Sequence, residues 1–549
     1  MRKNLLAVFL LLTFVFQSSA LAQTATRANS PARNAAENIT AAQLKDYLYY
    51  VASDEMEGRD TPSRGLDATA KFMGTMLSRW GFKPAGDDGT FYQKMALLRE
   101  TPDPQTSKLD IGGQTINYGE DYFRLSGSSD SVISAPLVYG GNGWFFKAKE
   151  IDALQNVDAK GKIVVLYNNG LPPNRSFPTS LPKGVVQADF AGERGKDWID
   201  PLTYAKQKGA VGVIVVASNE AQADWKRISA PPTTQRFFVE KFRTEVSLPA
   251  ITVSQKVADM LFADSTKAPY RATDSAVPVA FNTSKNVGFS AGIKQERVYT
   301  QNVVALWEGS DPTLKSEMVA VGAHYDHVGM NPNAKSDDKI WNGADDDGSG
   351  TVAVLAMAEA LAKSTQKPKR SILLVWHAGE EKGLWGSEYF NKFPTVNIKN
   401  VVTQLNIDMI GRSRKSNDTN PKNKDLSGEN EVFVIGSQMM STKLGEITKS
   451  VNDSFLKLGY DYKYDDPKDT NRFFFRSDHF NYAVNGIPIV FWFDGVHEDY
   501  HQPGDHADKI DYQKMEKVAR TIFLTMWEIA DLAQRPAVDK QLPPELTRR

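Results

Sequence analysis

The spacing of apolar residues changes along the chain and predicts regions of different structure. From Thr40 to Trp80 the apolar positions recur at helical intervals, which predicts two helices separated by the Gly- and Pro-containing loop at 58–65. From about 132 to 285, short β-branched runs alternate with long polar loops. The runs at 163–167 and 211–216 are typical of buried strands, so this region is expected to be β-rich.

After about Gly292, strand-like apolar runs alternate with helical patterns. The pattern predicts strands at 318–322, 371–376, 401–406, 431–435 and 487–493, and helices at 350–361, 444–456 and 512–533. This alternation predicts an α/β fold with a mostly parallel mixed sheet sandwiched by helices. Open sheets of this kind place their sites beyond the carboxyl ends of the strands.

The first residues predict export. Two basic residues precede an apolar run from Leu5 to Phe16, and the small residues at 20–22 fit a cleavage site. Residues 1–22 are therefore expected to be a signal peptide that directs the protein to the periplasm or outside the cell. Residues 23–38 are small and polar, which favours a flexible lead-in. No later run is long and apolar enough to predict a membrane span.

Composition narrows the classes of function and ligand. The chain of 549 residues has no cysteine, so it has neither a disulfide framework nor thiolate metal ligands. A formal net charge of -1 argues against a nucleic-acid partner or an acidic membrane surface. Because the chain has no cysteine, any zinc must be bound by histidine and carboxylate side chains. Neither composition nor charge indicates an oligomeric state.

All seven histidines fall between His324 and His506, among acidic residues that suit a two-metal site. The pattern comprises His324-Tyr325-Asp326, the loop Gly343–Gly350 with three consecutive aspartates, Glu380-Glu381, Asp408 and His501. Two zinc ions that share one carboxylate need two histidines and three acidic ligands, and one further acid can serve as a base. The chain supplies that set, which predicts metal-assisted hydrolysis.

The positions of these residues suggest a role for several of them. Asp346 lies in a tight Gly-flanked loop, which makes it the candidate for the bridging carboxylate. His324 and His501 would each bind one metal. Asp326, two residues after His324, is placed to accept a hydrogen bond from the other imidazole N–H.

Glu380 and Glu381 are adjacent and point in different directions, so one can bind a metal while the other faces the attacking water. We assign Glu381 as the ligand and Glu380 as the general base, which takes a proton from water that zinc acidifies. Asp408 ends an otherwise apolar strand, where a buried charge requires a partner. Each motif alone is more often a surface feature, but their joint order at predicted strand ends favours a metal site.

These segments resemble the co-catalytic di-zinc peptidases that include bacterial leucyl aminopeptidases and glutamate carboxypeptidase. The matching segments are Gly322–His327, Gly343–Gly350, Ala378–Ser387, Asn406–Gly411, Ser477–His479 and Tyr500–His501. The resemblance implies a zinc aminopeptidase (phosphorylase/hydrolase-like) fold, with one zinc bound by His324, Asp346 and Asp408 and another by Asp346, Glu381 and His501. It also implies that Glu380 is the general base and that the Asp346–Asp347 peptide bond is cis. The same ligands accept cobalt or manganese.

Five further residues are candidates for the surroundings of the metals. Tyr500 matches a position where some members of this family use a tyrosine to stabilise the tetrahedral oxyanion. Asp347 and His479 are expected beside the ligands. Arg476 is a candidate for binding a substrate terminus, and Met409 for lining a side-chain pocket.

The resemblance also implies a discontinuous catalytic domain. Residues 39–131 resemble the N-terminal part of the peptidase, and 132–285 resemble an inserted β-rich α/β protease-associated domain. Residues 286–535 then form the catalytic di-zinc domain, followed by a C-terminal tail at 536–549.

The favoured interpretation is an exported aminopeptidase that removes N-terminal residues from peptides with two zinc ions per chain. A carboxypeptidase or dipeptidase of the same fold stays open, because the residues do not reveal whether a free amine or a terminal carboxylate is recognised. Single-zinc glutaminyl cyclisation is a further alternative. A non-catalytic, receptor-like binding protein is least favoured, since every expected ligand and the base are present. The sequence does not indicate which side chain the enzyme prefers.

Overall fold

A computed structural model describes residues 30–125, 127–167, 179–186, 189–190, 192–230, 236–243, 247–263 and 286–547. The predicted signal peptide at 1–22 lies outside the described residues. The chain divides into two compact units, Met1–Met95 with Tyr299–Arg549, and Ala96–Val298. Within the described ranges, no helix has the length and apolarity needed to cross a membrane.

The elements alternate along most of the chain. The strands are β1 (Lys83–Pro84), β2 (Tyr92–Pro102), β3 (Lys108–Ile111), β4 (Gln114–Thr115), β5 (Tyr122–Arg124), β6 (Ile133–Tyr139), β7 (Phe145–Phe146), β8 (Ile151–Asp152), β9 (Ile163–Tyr167), β10 (Trp198–Ile199), β11 (Gly212–Val216), β12 (Arg236–Val239), β13 (Ala250–Val253), β14 (Asn286–Ser290), β15 (Ile293–Trp307), β16 (Met318–His324), β17 (Ser371–His377), β18 (Val401–Ile407), β19 (Glu431–Ile435), β20 (Gly459–Asp461) and β21 (Ile489–Phe493). The helices are α1 (Pro31–Ala36), α2 (Ala41–Val51), α3 (Arg64–Arg79), α4 (Pro201–Gln207), α5 (Asn219–Ala223), α6 (Trp225–Ile228), α7 (Gln255–Leu261), α8 (Gly350–Lys363), α9 (Trp385–Lys392), α10 (Thr442–Ser454), α11 (His479–Val484) and α12 (Tyr512–Asp531).

A mixed sheet forms the centre of the first unit. Its strands lie in the order β15-β17-β16-β18-β21-β19-β20. The four central strands, β17, β16, β18 and β21, are parallel to one another. β15 pairs antiparallel with β17, and β19 antiparallel with β21. The predicted α/β fold with a mostly parallel mixed sheet is confirmed.

Both faces of this sheet are buried, which explains the nearly continuous apolar runs in its strands. Ile372 and Trp376 of β17 belong to one hydrophobic core, whereas Leu373 and Val375 belong to another. Helices α2, α8 and α12 contribute to the first core, and α9 and α11 to the second. Because successive side chains of a strand point to opposite faces, a strand between two helical layers has no polar face.

Local sequence sets where the helices start. Ser441 accepts a hydrogen bond from the N–H of Leu444, and Asp511 accepts one from the N–H of Lys514. Such side chains satisfy backbone donors that have no partner inside the helix, so α10 and α12 begin directly after them. The three helices predicted after Gly292 are present, with ends that shift by at most two residues.

The second unit has a sheet of its own in the order β4-β3-β14-β6-β9-β11-β13-β5, and a smaller one in the order β10-β7-β8. β6, β9, β11 and β13 are parallel, and the predicted strands at 163–167 and 211–216 are β9 and β11. The unit begins at Ala96, before the expected boundary at 132, because β3 pairs with β14 and β5 with β13. Its identity as a protease-associated domain stays a prediction.

Segments near the two ends of the described residues belong to the first unit and contribute buried side chains to it. Residues 31–36 form helix α1, in which Ala35 and Ala36 are buried, although this part of the chain falls within the expected flexible lead-in at 23–38. Ser30 caps the helix by accepting from the N–H of Arg33. In the C-terminal segment, Leu546 is buried in the second core of the sheet.

Arg59 joins three segments of the first unit. Its guanidinium is completely buried and donates to the backbone oxygens of Val51, Tyr325, Asn342 and Gly343 at 2.7 to 2.9 Å. These acceptors belong to α2, to the segment after β16 and to the loop before α8. Burial lowers the pKa of Arg59 to about 10, so the side chain is still charged at neutral pH.

Replacing Arg59 tests how far the fold depends on these contacts. Arg59→Met keeps an unbranched side chain but removes the donor from four buried carbonyl groups, of which Gly343 keeps a second donor in the N–H of Gly348, so the free energy of unfolding should fall by more than about 3 kcal/mol. Thermal unfolding measures this as a lower Tm. Arg79→Met, at an exposed position at the end of α3, is the matched control and should change stability by less than about 1 kcal/mol. Equal shifts in the two variants would contradict a structural role for the Arg59 contacts.

Candidate metal centre

Adjacent parallel strands bring the first candidate ligands together. His324 is the last residue of β16, Asp408 follows β18 directly, and Glu380-Glu381 follow β17. β16 lies between β17 and β18, so the carboxyl ends of all three strands meet at one edge of the sheet. Asp346 enters from the loop before α8, and His501 from the segment after β21.

The ligand atoms form two groups that share Asp346. Oδ1 of Asp346 lies 3.3 Å from Nε2 of His324, and Oδ1 of Asp408 lies 3.6 Å from the same nitrogen. Oδ2 of Asp346 lies 3.1 Å from Nε2 of His501, which is also 3.1 Å from Oε2 of Glu381. The structure thus places all five predicted ligands together, and each carboxylate oxygen of Asp346 faces one group.

A third histidine lies in the second group. Nδ1 of His327 is 2.9 Å from Oε1 of Glu381, and the ring is completely buried. The sets His324–Asp346–Asp408 and His327–Asp346–Glu381 each present ligand atoms that lie within 4.8 Å of one another. Sequence reasoning did not single out His327, whose one signal is that it closely follows His324 along the chain.

The donor set fits zinc. Oδ2 of Asp346, Oε1 of Glu381 and Nε2 of His501 are buried without a hydrogen-bond partner among the described residues. Buried polar atoms normally have such a partner, and a cation between these atoms would supply the missing interaction. Imidazole nitrogens and carboxylate oxygens are ligands that zinc accepts in catalytic sites.

Crowded negative charge also favours a cation. Burial raises the pKa of Glu380 well above its usual value, and the charges on Glu381 and Asp408 raise it further. Burial opposes the ionisation of Asp346, but its contacts with two histidines outweigh that effect and hold its pKa well below the usual range. A divalent cation relieves the repulsion among these carboxylates and stabilises their ionised forms.

Asp347 fixes the loop that carries Asp346. Its carboxylate accepts from the N–H groups of His324, Gly350 and Met409 at 3.2, 2.9 and 3.1 Å. One side chain therefore ties together β16, α8 and the segment after β18. A Cβ on Gly350 would lie 2.5 Å from Oδ1 of Asp347, so this close approach requires glycine. The Asp346–Asp347 peptide bond is cis, as the resemblance implies.

Asp505 and His497 hold the same loop from behind, and sequence reasoning assigned them no role. Oδ2 of Asp505 accepts from the N–H groups of Asp345 and Asp346 at 2.9 and 3.1 Å. Nε2 of His497 lies 3.2 Å from Oδ2 of Asp345. Asp505 and Asp345 are 160 residues apart along the chain, so no local pattern reveals their contact.

Asp326 positions the predicted base. Its Oδ1 accepts from the N–H of Glu380 at 3.1 Å. Nδ1 of His324 lies 3.1 Å from the backbone oxygen of Asp326 and 3.6 Å from its carboxylate, so the backbone oxygen makes the closer contact. Oε2 of Glu380 lies 3.9 Å from Nε2 of His324, which directs the carboxylate of Glu380 towards the first ligand group.

A pocket beside the ligands has an apolar wall. The side chains of that wall are Met409, Phe473, Phe491, Phe493 and Val496. Arg476 and Tyr500 line the same pocket, and Nη2 of Arg476 donates to the Tyr500 hydroxyl at 3.0 Å. The predicted substrate-side residues therefore lie together, next to Glu380 and Asp408.

Two residues of this site have a left-handed backbone. The φ angle is 52° at His501 and 57° at Met409. Residues with a side chain adopt this conformation at a cost of order 1 kcal/mol or more, and such residues concentrate at functional sites. The surrounding contacts must therefore hold both residues in place.

His479 packs among aromatic rings. Its ring stacks on Phe491 with a centroid distance of 4.5 Å and meets Phe474 edge-on at 5.2 Å. The preceding residue, Asp478, lies 3.4 Å from Nδ1 of His377. Burial lowers the pKa of His479 to about 3, which keeps the imidazole neutral at physiological pH.

Residues 302–526 match Peptidase family M28. A probable leucine aminopeptidase from Trichophyton verrucosum is 27% identical over 228 residues, which cover 40% of this chain and 56% of that protein. Aminopeptidase YwaD of Bacillus subtilis is 23% identical over 460 residues, which cover 82% of this chain and 83% of that protein. The aminopeptidase from Aneurinibacillus sp. strain AM-1 aligns with a TM-score of 0.48 at 16% identity, over 93% of this chain and 97% of that one. The chain thus spans little more than half the length of the Trichophyton relative.

His479 should make stability depend on acid. The folded chain keeps this ring neutral down to about pH 3, whereas the unfolded chain takes up a proton below about pH 6.5. Stability therefore falls as the pH drops below 6.5, by about 2 kcal/mol at pH 5. His479→Phe keeps a ring against Phe491 and removes this term. The Tm of the variant should fall less than that of the wild type between pH 7.5 and 5, and parallel curves would contradict the assignment.

Proposed function

We propose that this chain, of which residues 302–526 match peptidase family M28, is a metallo-aminopeptidase that hydrolyses peptides with two zinc ions. The observation that carries the proposal is the pair of ligand groups that share Asp346. The carboxylate of Glu380 stands beside these groups, 3.9 Å from Nε2 of His324, and is buried against other acids. The names of the similar proteins support peptide N-termini as the substrate class.

Each ligand has a defined place in this proposal. One zinc would be held by His324, Asp346 and Asp408, and the other by Asp346, Glu381 and His501. Zinc supplies Lewis acidity that polarises the scissile carbonyl and acidifies water. The bridging carboxylate fixes the spacing of the two groups, because its loop is tied to the sheet through Asp347.

Glu380 acts as the general base and then as the general acid. Its carboxylate takes a proton from the attacking water and delivers the proton to the leaving amine. The hydrogen bond from its N–H to Asp326 holds the backbone, so the side chain faces the first ligand group. The Tyr500 hydroxyl accepts from Arg476, which leaves the phenolic O–H available to donate to the developing oxyanion.

The pocket determines which substrates fit. Its wall of phenylalanine, methionine and valine side chains suits an apolar side chain of the peptide. The exposed guanidinium of Arg476 at the same pocket favours a second candidate, a carboxypeptidase that binds a terminal carboxylate. Export to the periplasm or the medium belongs to the proposal and rests on the sequence pattern of residues 1–22 alone.

A mixed peptide library distinguishes the two candidates. Half of the peptides carry an N-terminal acetyl group, and mass spectrometry follows the products of residues 23–549. We expect stepwise loss of N-terminal residues from the free peptides only, with apolar residues removed fastest and with no cleavage after treatment with a chelator. Cleavage of the acetylated peptides from the other end would instead support the carboxypeptidase.

Glu380→Gln tests whether Glu380 is the general base or a metal ligand. The variant should keep the zinc content of the wild type and lose about 100-fold or more in kcat, because the amide cannot accept the proton. Inductively coupled plasma mass spectrometry measures the zinc, and hydrolysis of an amino-acid anilide measures kcat. Glu388→Gln, on helix α9 where the native residue pairs with Lys392, is the matched control. A parallel loss of zinc in Glu380→Gln would assign this residue as a ligand instead.

A further inference from the structure

His327 has the burial and surroundings of a ligand, although the proposed ligand sets do not use it. Its side chain is inaccessible to solvent, and both ring nitrogens lack a hydrogen-bond partner among the described residues. Burying a polar group without a partner is unfavourable, because the group loses its hydrogen bonds to water. A neutral imidazole with two unsatisfied nitrogens is therefore unfavourable unless something binds to it.

Nδ1 of His327 faces the second ligand group. It lies 2.9 Å from Oε1 of Glu381 and 3.8 Å from Oδ2 of Asp346. The contact with Glu381 is within hydrogen-bond distance, but neither atom meets the geometric requirements of a hydrogen bond to a described residue. His327, Asp346 and Glu381 each offer one ligand atom, and these atoms lie within 4.8 Å of one another, as the atoms of a metal-binding group do.

The backbone builds this ring into the site. The N–H of His327 donates to the carbonyl oxygen of Arg59 at 3.1 Å, which fixes the backbone of this residue. A Cβ on Gly343 would lie 2.5 Å from Cγ and Cδ2 of His327, so a side chain at position 343 would displace the ring. The ring is therefore held against Asp346 and Glu381 by two contacts that have no part in ligand binding.

We propose that His327 is a fourth protein ligand of the second zinc, together with Asp346, Glu381 and His501. The proposal rests on the two-zinc function above and adds a difference between the two positions. The first position has three protein ligands and keeps an open position, as catalytic zinc sites do, whereas four protein ligands close the second. Zinc at the second position should therefore bind more tightly than zinc at the first position. It should be the last of the two ions that a chelator removes.

Zinc content under chelator competition tests this difference without measuring activity. The zinc-loaded wild type should release its two ions at chelator concentrations that are well separated. In His327→Gln the tighter ion should leave at a chelator concentration lower by more than about 100-fold. That loss exceeds the 10- to 100-fold effect of a residue that only orients a ligand. His506→Gln is the matched control, because His506 is a partly exposed histidine that pairs with Asp338 outside both ligand groups.

Anomalous diffraction from crystals of the wild type gives a second measurement that does not depend on the folding of a variant. We expect the second zinc at about 2.0 to 2.1 Å from Nδ1 of His327. A distance beyond about 3 Å, or release curves for His327→Gln that match those of the control, would overturn the proposal. So would a wild type that binds a single zinc ion.

The outcomes also separate this proposal from the proposed function. A wild type that binds two zinc ions with His327 as a ligand, but cleaves no peptide, would refute the peptidase and leave the ligand assignment standing. Peptide cleavage by a wild type whose second zinc lies far from His327 would refute the ligand assignment alone.

Discussion

The concentration of buried negative charge is the constraint on which the rest of this site depends. Asp345, Asp346, Asp347, Glu380, Glu381 and Asp408 lie at one edge of the sheet, and several of them are almost inaccessible to solvent. Uncompensated charges of this density are unfavourable in a protein interior. Three kinds of group compensate part of this charge. They are the histidines beside Asp346, the backbone N–H groups that donate to Asp347, and the buried guanidinium of Arg59. These groups offset only part of the repulsion, so the cluster is arranged for cations.

The topology of the sheet brings these acidic residues together. β16, β17 and β18 are adjacent and parallel, so three segments with distant sequence positions end side by side. The loop 343–350 reaches the same edge of the sheet, and its three aspartates have different roles there. Asp346 faces one ligand group with each carboxylate oxygen, while Asp347 and Asp345 accept backbone donors from β16, α8 and the segment after β18. A single acidic run thus serves both ligand binding and loop anchoring.

The sequence predicted the parts of this arrangement that have a local pattern. Buried parallel strands are largely apolar, so β17 is visible as a run and β18 as a weaker one, and Asp408 is visible as a charge that directly follows β18. Arg59, His327 and Asp505 have no such signal, because their partners lie far away along the chain. The boundary of the second unit at Ala96 was missed for the same reason, since β3 and β5 belong to it through pairing with β14 and β13.

The two sides of the site differ in how firmly they are built. His324, Glu380 and Asp408 extend from strands that are packed between two hydrophobic cores, and they are buried or nearly so. His501 has a side chain that is 36% exposed, and together with Tyr500 it belongs to a segment outside the regular elements. The pocket residue Arg476 contacts Tyr500 rather than any ligand. Substitution of Arg476 is therefore expected to leave the strand ends that hold the acids undisturbed. On the proposed function, substrate preference would depend on the segment around Tyr500 and Arg476, whereas metal binding would depend on the strand ends together with the loop of Asp346 and the segment of His501.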